Sequence, residues 1–313
     1  MKEKVFLIFN TACFGDNLVC NALCQNIKRI YPDSKIVFIV DKPFYEAAKY
    51  QKDVDDVVIF DKKGANRSLI GILKFILNFK YKKAYASMVT YRNERNYIVS
   101  SLTGSRVVTF KSKYNSFSAQ ERHNLELRKI TNKKVHNYPI KYCVPDFARE
   151  SVKNKFPNLK DYTVICTTSK RKEKDMPIST AVDLVKKFSA ENKQIVYVGA
   201  GDLALNYAEQ LKSAGCKFID LTNQTTIPEL GAVLENAECV ISVDTGVMHF
   251  GYAVGTPVTA VFYEPDYVRY WAPNPQIYKS ITISSNQSAD NIYNAYTQLC
   301  ESVASEKTEF EHV

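Results

Sequence analysis

Four short segments of this chain carry side chains whose types and spacing can do chemistry. VDTGVMHFG (243–251) offers Asp244, Thr245 and Gly246 at a helix start, with His249 one turn in. Asp244 or Thr245 suits an N-cap and Gly246 lets a ligand approach the backbone. The free N–H groups and the positive helix end suit an anion such as a nucleotide phosphate, which the His249 ring can also reach. The same residues also fit a plain capped helix, the lesser of the two readings. TACFGD (11–16) ends on Gly15-Asp16, whose carboxylate can cap a helix or take a proton from a reacting hydroxyl. CTTSKRKEKDMPI (166–178) supplies the hydroxyls of Thr167 and Thr168, with Lys170, Arg171, Lys172 and Lys174 behind them. A compact ammonium here can follow charge onto a departing diphosphate, or the loop is simply solvated. Finally, GAGDLA (199–204) and Asp220 make a G-x-G-x-x-A turn with an acidic partner, which read alone indicates an NAD-dependent oxidoreductase.

The elements that must hold these residues follow from periodicity. KVFLIFN is a buried strand, and the amphipathic helix after Asp16 turns Leu18, Val19, Ala22, Leu23, Ile27 and Ile30 inward and ends before Pro32. Gly15-Asp16 therefore stands at the carboxyl end of the first strand, where open parallel sheets place ligands. Strands at 35–40, 56–60, 84–89 and 106–110 follow, with helices between them, notably SLIGILKFILNF (68–79). The pattern restarts past Pro145 with YTVIC (162–166), a helix over 179–190, QIVYV (194–198), a helix over 203–214 and KFID (217–220). An apolar run over 237–243 precedes the Asp244 segment, a strand over 256–262 follows it, and a helix spans 289–303. Strands alternating with helices predict an α/β fold of two doubly wound, Rossmann-like domains, residues 1–155 and 156–313, with the hinge between Pro145 and Lys160.

At 313 residues, 45% hydrophobic and 24% charged, the chain has the balance of a soluble globular protein with room for two cores. No apolar run approaches the length of a transmembrane helix. The eight cysteines form no CxxC pair, the start has no n-region and h-region, and Cys13, Cys20, Cys24, Cys166 and Cys239 stand in apolar contexts, so a reduced cytoplasmic chain is expected. KDVDDVV (52–58) runs straight into a strand, so Asp53, Asp55 and Asp56 cap and turn it, and no metal is assigned.

The net charge is +9, and Arg106 to Lys134 concentrates eight Lys or Arg against Glu121 and Glu126. This stretch is either a solvated face or a patch for an anionic partner. Nucleic acid is disfavoured, because no binding-module motif accompanies the charge.

FGDNLVCNAL near the start and VDTGVMHFGYAVGTPVTAVFY near the end, taken together and at their spacing, resemble glycosyltransferase family 9, the ADP-heptose:lipopolysaccharide heptosyltransferases. The likeness in layout runs over nearly the whole chain. It implies a GT-B architecture, with two Rossmann-like domains facing each other across a cleft, an N-terminal acceptor domain and a C-terminal donor domain. In that architecture the C-terminal helix often packs back on the first domain, and donor-driven closure excludes water.

The activity implied is inverting transfer of heptose, or a related sugar, from a nucleotide-diphosphate donor to a lipopolysaccharide core hydroxyl. It needs neither cofactor nor metal, and the enzyme sits peripherally at the cytoplasmic face of the inner membrane. Asp16 becomes the general base. Lys174, nearest to the family's Lys before an aromatic-Pro pair although Met176 stands in for the usual Trp, becomes the catalytic cation, with Lys172 its rival. Gly15, Thr167, Thr168, Gly199, Asp202, Asp244, Thr245, Gly246 and His249 become donor-site residues, with Asp244 better suited to capping or a sugar hydroxyl than to a phosphate. The family's ribose-binding Glu is missing, and Asp202 or Asn206 can replace it. Lys111, Lys113, Arg122, Lys133 and Lys134 become contacts to an anionic, lipid-linked glycan acceptor. A catalytically silent sugar-nucleotide-binding protein would keep the phosphate motif without Asp16.

Overall fold

The computed structural model describes residues 3–90, 94–109 and 118–311, and the chain divides into two units, Met1–Cys143 and Val144–Val313. In the first, VFLIFN is apolar on both faces, as a strand covered on both sides must be, and it forms the middle strand. The elements run β1 (Val5–Asn10), α1 (Phe14–Val19), α2 (Asn21–Ile30), β2 (Lys35–Val40), α3 (Tyr45–Lys49), β3 (Asp56–Ile59), α4 (Leu69–Asn78), β4 (Ala86–Val89), α5 (Glu94–Leu102), β5 (Val107–Thr109) and α6 (Ala119–Thr131). All strands are parallel, in the order β3-β2-β1-β4-β5. The chain reverses direction of travel between β1 and β4, and this places the unit's switch point at the carboxyl end of β1.

Each face of that sheet has its own core. Phe6, Ile8, Leu23, Ile27, Phe38 and Leu127 fill the side under α2 and α6, whereas Leu7, Phe9, Val37, Phe60 and Val99 fill the side under α4 and α5. The alternation of β1 side chains between the two cores is the period-2 signature of a strand. α6 begins with a Ser118–Glu121 capping box and stops at Asn132 in the left-handed conformation, φ 52°.

The second unit runs α7 (Asp146–Lys155), β6 (Tyr162–Cys166), α8 (Ile178–Ala190), β7 (Gln194–Tyr197), α9 (Asp202–Ser213), β8 (Ile219–Asp220), α10 (Ile227–Glu235), β9 (Cys239–Val243), α11 (Gly246–Ala253), β10 (Val258–Val261), α12 (Val268–Trp271), β11 (Ser280–Ile283) and α13 (Ala289–Glu311). Its sheet is also fully parallel, ordered β11-β10-β9-β6-β7-β8, so β6 and β9 are neighbours flanking the switch point. Both strands are wholly buried. Ile292, Tyr296 and Leu299 of α13 enter the core of this unit.

α7 belongs with this unit, ahead of the residue-155 division expected from the sequence. Its Arg149 grips Glu235 of α10 with two bonds of 2.7 and 2.9 Å, and Lys155 and Ser151 both reach the buried Glu229. Burial raises the Glu229 carboxyl, but Lys155, Ser151 and the Thr226 N–H outweigh it and bring the pKa down to about 2.

Candidate active site

In the second unit, the segments that follow β6 and β9 meet because those two strands are neighbours. Thr167 and Thr168 leave the carboxyl end of β6, and Asp244, Thr245 and Gly246 leave that of β9. Thr167 is fully buried, its hydroxyl 2.7 Å from the Tyr197 hydroxyl at the end of β7. The loop after Thr168 folds back on itself. The Ser169 N–H donates to Asp175 at 2.6 Å and the Met176 N–H to the Thr167 carbonyl at 2.9 Å, with Met176 buried beneath. This clasp turns Lys174 into the site, where its Nζ lies 2.5 Å from Asp244 Oδ2 and 3.9 Å above the ring of Tyr267. Lys172, two residues earlier in the same turn, is exposed. Between the two lysines, then, it is Lys174 that shares the site with Asp244.

Asp244 spends its carboxylate on this ion pair and not on capping. Thr245 is the N-cap residue of α11, and no side chain caps that helix. First-turn N–H groups are therefore left for a ligand or solvent. Burial holds the Asp244 carboxyl above the usual carboxylate range although Lys174 and Arg171 pull it down. Arg171 also reaches the hydroxyl of Tyr267, so one tyrosine covers both cations.

His249 is buried, with Nδ1 on the Tyr252 hydroxyl and its ring edge-on to Trp271 at 5.7 Å. Burial, then the charge of Lys174, lowers its pKa from 6.5 to about 3. It is a neutral imidazole at working pH and brings a dipole to the site, not a charge.

Gly199 has no room for a side chain, since a Cβ there would stand 2.5 Å from the Ala204 methyl at the start of α9. Asp202 is exposed in the first turn of α9, and Asn206 one turn on accepts from Gln210 at 2.6 Å. Asp220, the acidic partner of a dinucleotide site, is taken by Lys212 at 2.6 Å and the Thr222 N–H at 3.0 Å. This leaves the oxidoreductase reading without its ribose contact.

The first unit's switch point is built differently. Asn10, buried at the end of β1, accepts from the Ala12 N–H at 2.9 Å and donates to the Asp16 carbonyl at 3.1 Å, which fixes the turn into α1. Gly15 is buried in that turn, and Asp16 is half-buried with Oδ2 accepting the Cys13 N–H at 3.2 Å. Asp16 therefore sits where both a cap and a base would sit.

Lys62, which sequence reasoning passed over, lies at the same edge. It pairs with Asp41 at 3.3 Å and donates to the Thr11 carbonyl. Its position just past the strand at 56–60 was the available signal, as the aromatic run after the last anchor was for Tyr267.

From Arg122 onward, the described cations of the basic cluster are spread along α6 and past its end. Arg122 is in the first turn of α6, whereas Lys133 and Lys134 lie beyond its last residue, Thr131, which is itself about 13 Å further along the axis at 1.5 Å per residue. There Lys134 and Arg29 both act on His136, whose pKa is lowered by desolvation and then by these two cations. Lys111 and Lys113 lie outside the described residues. Asp55 is held by Lys28 at 2.8 Å and the Ile36 N–H at 2.7 Å, and Asp56 by Lys80 at 2.8 Å, so these carboxylates brace β3.

Two Rossmann-like units, each with its loops at a switch point, make this a protein of the GT-B class, and solved structures share the fold. The chain is similar to the glycosyl transferase family 9 protein from Veillonella parvula DSM 2008, with TM-score 0.81 and 16% identity over 96% of this chain and 98% of that one. It is also similar to the E. coli ADP-heptose lps heptosyltransferase II, with TM-score 0.76 and 12% identity over 96% and 99%. For E. coli heptosyltransferase WaaC with ADP, the TM-score is 0.75 and the identity 16% over 94% and 99%. Lipopolysaccharide heptosyltransferase 3 of Escherichia coli is 38% identical over 53 residues, which is 17% of this chain and spans only 15% of that relative. Residues 83–297 match the model of glycosyltransferase family 9 (heptosyltransferase), and the chain belongs to this family. It is a glycosyltransferase.

Proposed function

We propose that this enzyme transfers a heptose, or a related sugar, with inversion, from a nucleotide-diphosphate donor, ADP-heptose fitting best, to a hydroxyl of an anionic lipopolysaccharide core acceptor. The observation that carries the donor half is the convergence at one switch point of Thr167, Thr168, Lys174 and an uncapped α11. Lys174 and the N–H groups of Thr245, Gly246 and their neighbours bind the diphosphate and stabilise the charge that grows on it as the glycosidic bond breaks. Asp244 orients Lys174 through the ion pair. Gly199 and Asp202 line the nucleotide side, and His249, being neutral, donates or accepts a hydrogen bond. The solved relatives that carry ADP and an ADP-fluoroheptose in their names support the same donor class.

Asp16 takes the proton of the acceptor hydroxyl as its oxygen attacks the anomeric carbon from the face opposite the diphosphate. Lys62, whose ammonium reaches the Thr11 carbonyl just past β1, suits the acceptor's negative charge, alongside Arg122 of the basic cluster. Basic groups and a helix end make a divalent ion unnecessary for the leaving group, and a lipid-linked acceptor places the enzyme at the cytoplasmic face of the inner membrane. Among the described residues no helix is long and apolar enough to cross a membrane.

Calorimetry with ADP, GDP, UDP and NADH, followed by turnover of ADP-heptose with and without EDTA, tests the reading. Preferential ADP binding and EDTA-resistant transfer are expected. A response to NADH alone, or tight ADP-sugar binding without turnover, would replace transfer with redox chemistry or silent binding.

A further inference from the structure

α4 carries large apolar side chains on both faces, interrupted by Lys74, yet only one face is covered. Ile72, Phe75 and Ile76 pack on the first sheet beside Phe60 and Phe79. The opposite face presents Leu69 at 80% exposure, Ile70 at 67%, Leu73 at 55% and Leu77 at 70%. Ile70, Leu73 and Leu77 are spaced three and four apart, so they form one stripe along the helix. α5 covers the same face of the sheet and adds exposed Ile98 and Leu102. A run of large apolar side chains this open is costly in water and signals an unpartnered surface.

What surrounds the stripe decides the partner. No acidic residue occurs from Lys62 to Lys83, and Lys63, Arg67, Lys74, Lys80, Lys82 and Lys83, all exposed, stand in the helix or in the segments flanking it. Of these, Lys80 is partly neutralised by Asp56. Two copies of this face brought together would set positive rim against positive rim. A surface with negative headgroups over hydrocarbon matches both features at once.

We propose that the outer face of α4, extended by α5, lies in the plane of an anionic lipid bilayer, with Ile70, Leu73 and Leu77 entering the acyl boundary and the basic rim on the headgroups. The inference deepens the membrane side of the function above and rests on it only for why a bilayer is the partner. α4 starts from the loop that carries Lys62 to the Thr11 carbonyl, so docking it sets the edge bearing Asp16 beside the membrane from which a lipid-linked acceptor would be presented.

The test is co-sedimentation of the full chain with vesicles of phosphatidylethanolamine and phosphatidylglycerol, against pure phosphatidylcholine. Binding to the anionic vesicles is expected. A variant with Ile70→Gln, Leu73→Gln and Leu77→Gln should lose at least about tenfold in partition, from the apolar area withheld. Lys63→Gln with Arg67→Gln and Lys74→Gln should lose about fivefold per cation. L73W should blue-shift on anionic vesicles only. ADP binding by every variant checks folding and keeps the donor reading separate. If the wild-type chain ignores anionic vesicles, or the triple Gln variant binds them undiminished while Lys133→Gln with Lys134→Gln does not, the surface is misassigned. A wild-type dimer that the triple Gln variant dissolves, without vesicle binding, makes the occupant a second copy and overturns the proposal.

Discussion

The two units share one strand order, with β11 added at the edge of the second, but furnish their switch points with opposite chemistry. At the switch point of the second, the charges are enclosed. Lys174 and Asp244 are side-chain exposed by only 12% and 7%, roofed by Tyr267 and backed by a neutral histidine. At that of the first, Asp16 is half-buried on the first turn of a six-residue helix, its Oδ2 accepting the Cys13 N–H at 3.2 Å, and the nearby cation Lys62 is tied to Asp41. An enclosed cation strengthens every interaction with a diphosphate, because little water competes there. A carboxylate that must receive a proton needs access to the incoming hydroxyl more than enclosure. The same parallel sheet thus serves as an anion cradle or as a base platform, and the difference lies in what the loops after the strands carry.

The sharpest way to break this comparison is Asp16→Asn, which keeps the turn and removes the base. A fall in kcat of about 10²–10⁴-fold with ADP-sugar affinity unchanged is expected from steady-state kinetics and calorimetry. Near wild-type turnover would reduce Asp16 to a cap. Lys174→Met should cost about 10²-fold in kcat and weaken donor binding as well, since the same cation serves ground state and transition state. In contrast to Asp16→Asn, both readouts move. Equal donor affinity in wild type and Lys174→Met would remove the cradle from the argument.

Gly199→Ala should destabilise the second unit by about 1–3 kcal/mol, because its new methyl, 2.5 Å from Ala204, must push α9 from β7. Denaturant unfolding monitored at Trp271, in α12 of that unit, reads this directly.

The last effect depends on pH and is shared by both units. His123 and His249 are each buried and lowered from 6.5 to about 3, His123 by burial and then Arg122. Their folded forms refuse a proton that the unfolded chain accepts below about pH 6.5. Stability is therefore complete above that pH and falls by up to about 1.4 kcal/mol per pH unit for each histidine as pH drops toward 3. His249→Phe and His123→Phe should each flatten the melting temperature against pH. An unchanged profile in either variant would mean that its histidine is charged in the folded state.

Much of the fold was legible because it is written locally. The two-fold restart of the strand–helix alternation and the inward stripe of α2 both follow from period 2 against period 3.6. SITI at β11, only half-buried, was not singled out, and α10 was missed although Thr226 and Glu229 form a capping box there. The basic stretch from Arg106 reads as one cluster along the chain, but among the described residues α6 sets Arg122 in its first turn and Lys133 and Lys134 beyond its last.

By itself the sequence determined the kind of unit, the number of units and the residues that stand just past strands: Gly15-Asp16, Thr167-Thr168 and Asp244-Thr245-Gly246. A strand's carboxyl end follows from its own apolar run, with no knowledge of its neighbours. Only the tertiary structure decided that β9 lies against β6, 73 residues earlier from Cys239 to Cys166 by position, and so that Lys174 and Asp244 meet. It also decided that Lys174 turns inward while Lys172 stays in solvent, that His249 is neutral, and that α4 leaves half its apolar surface bare. Strand adjacency and burial arise from contacts between segments far apart in the chain, and local periodicity holds no record of them.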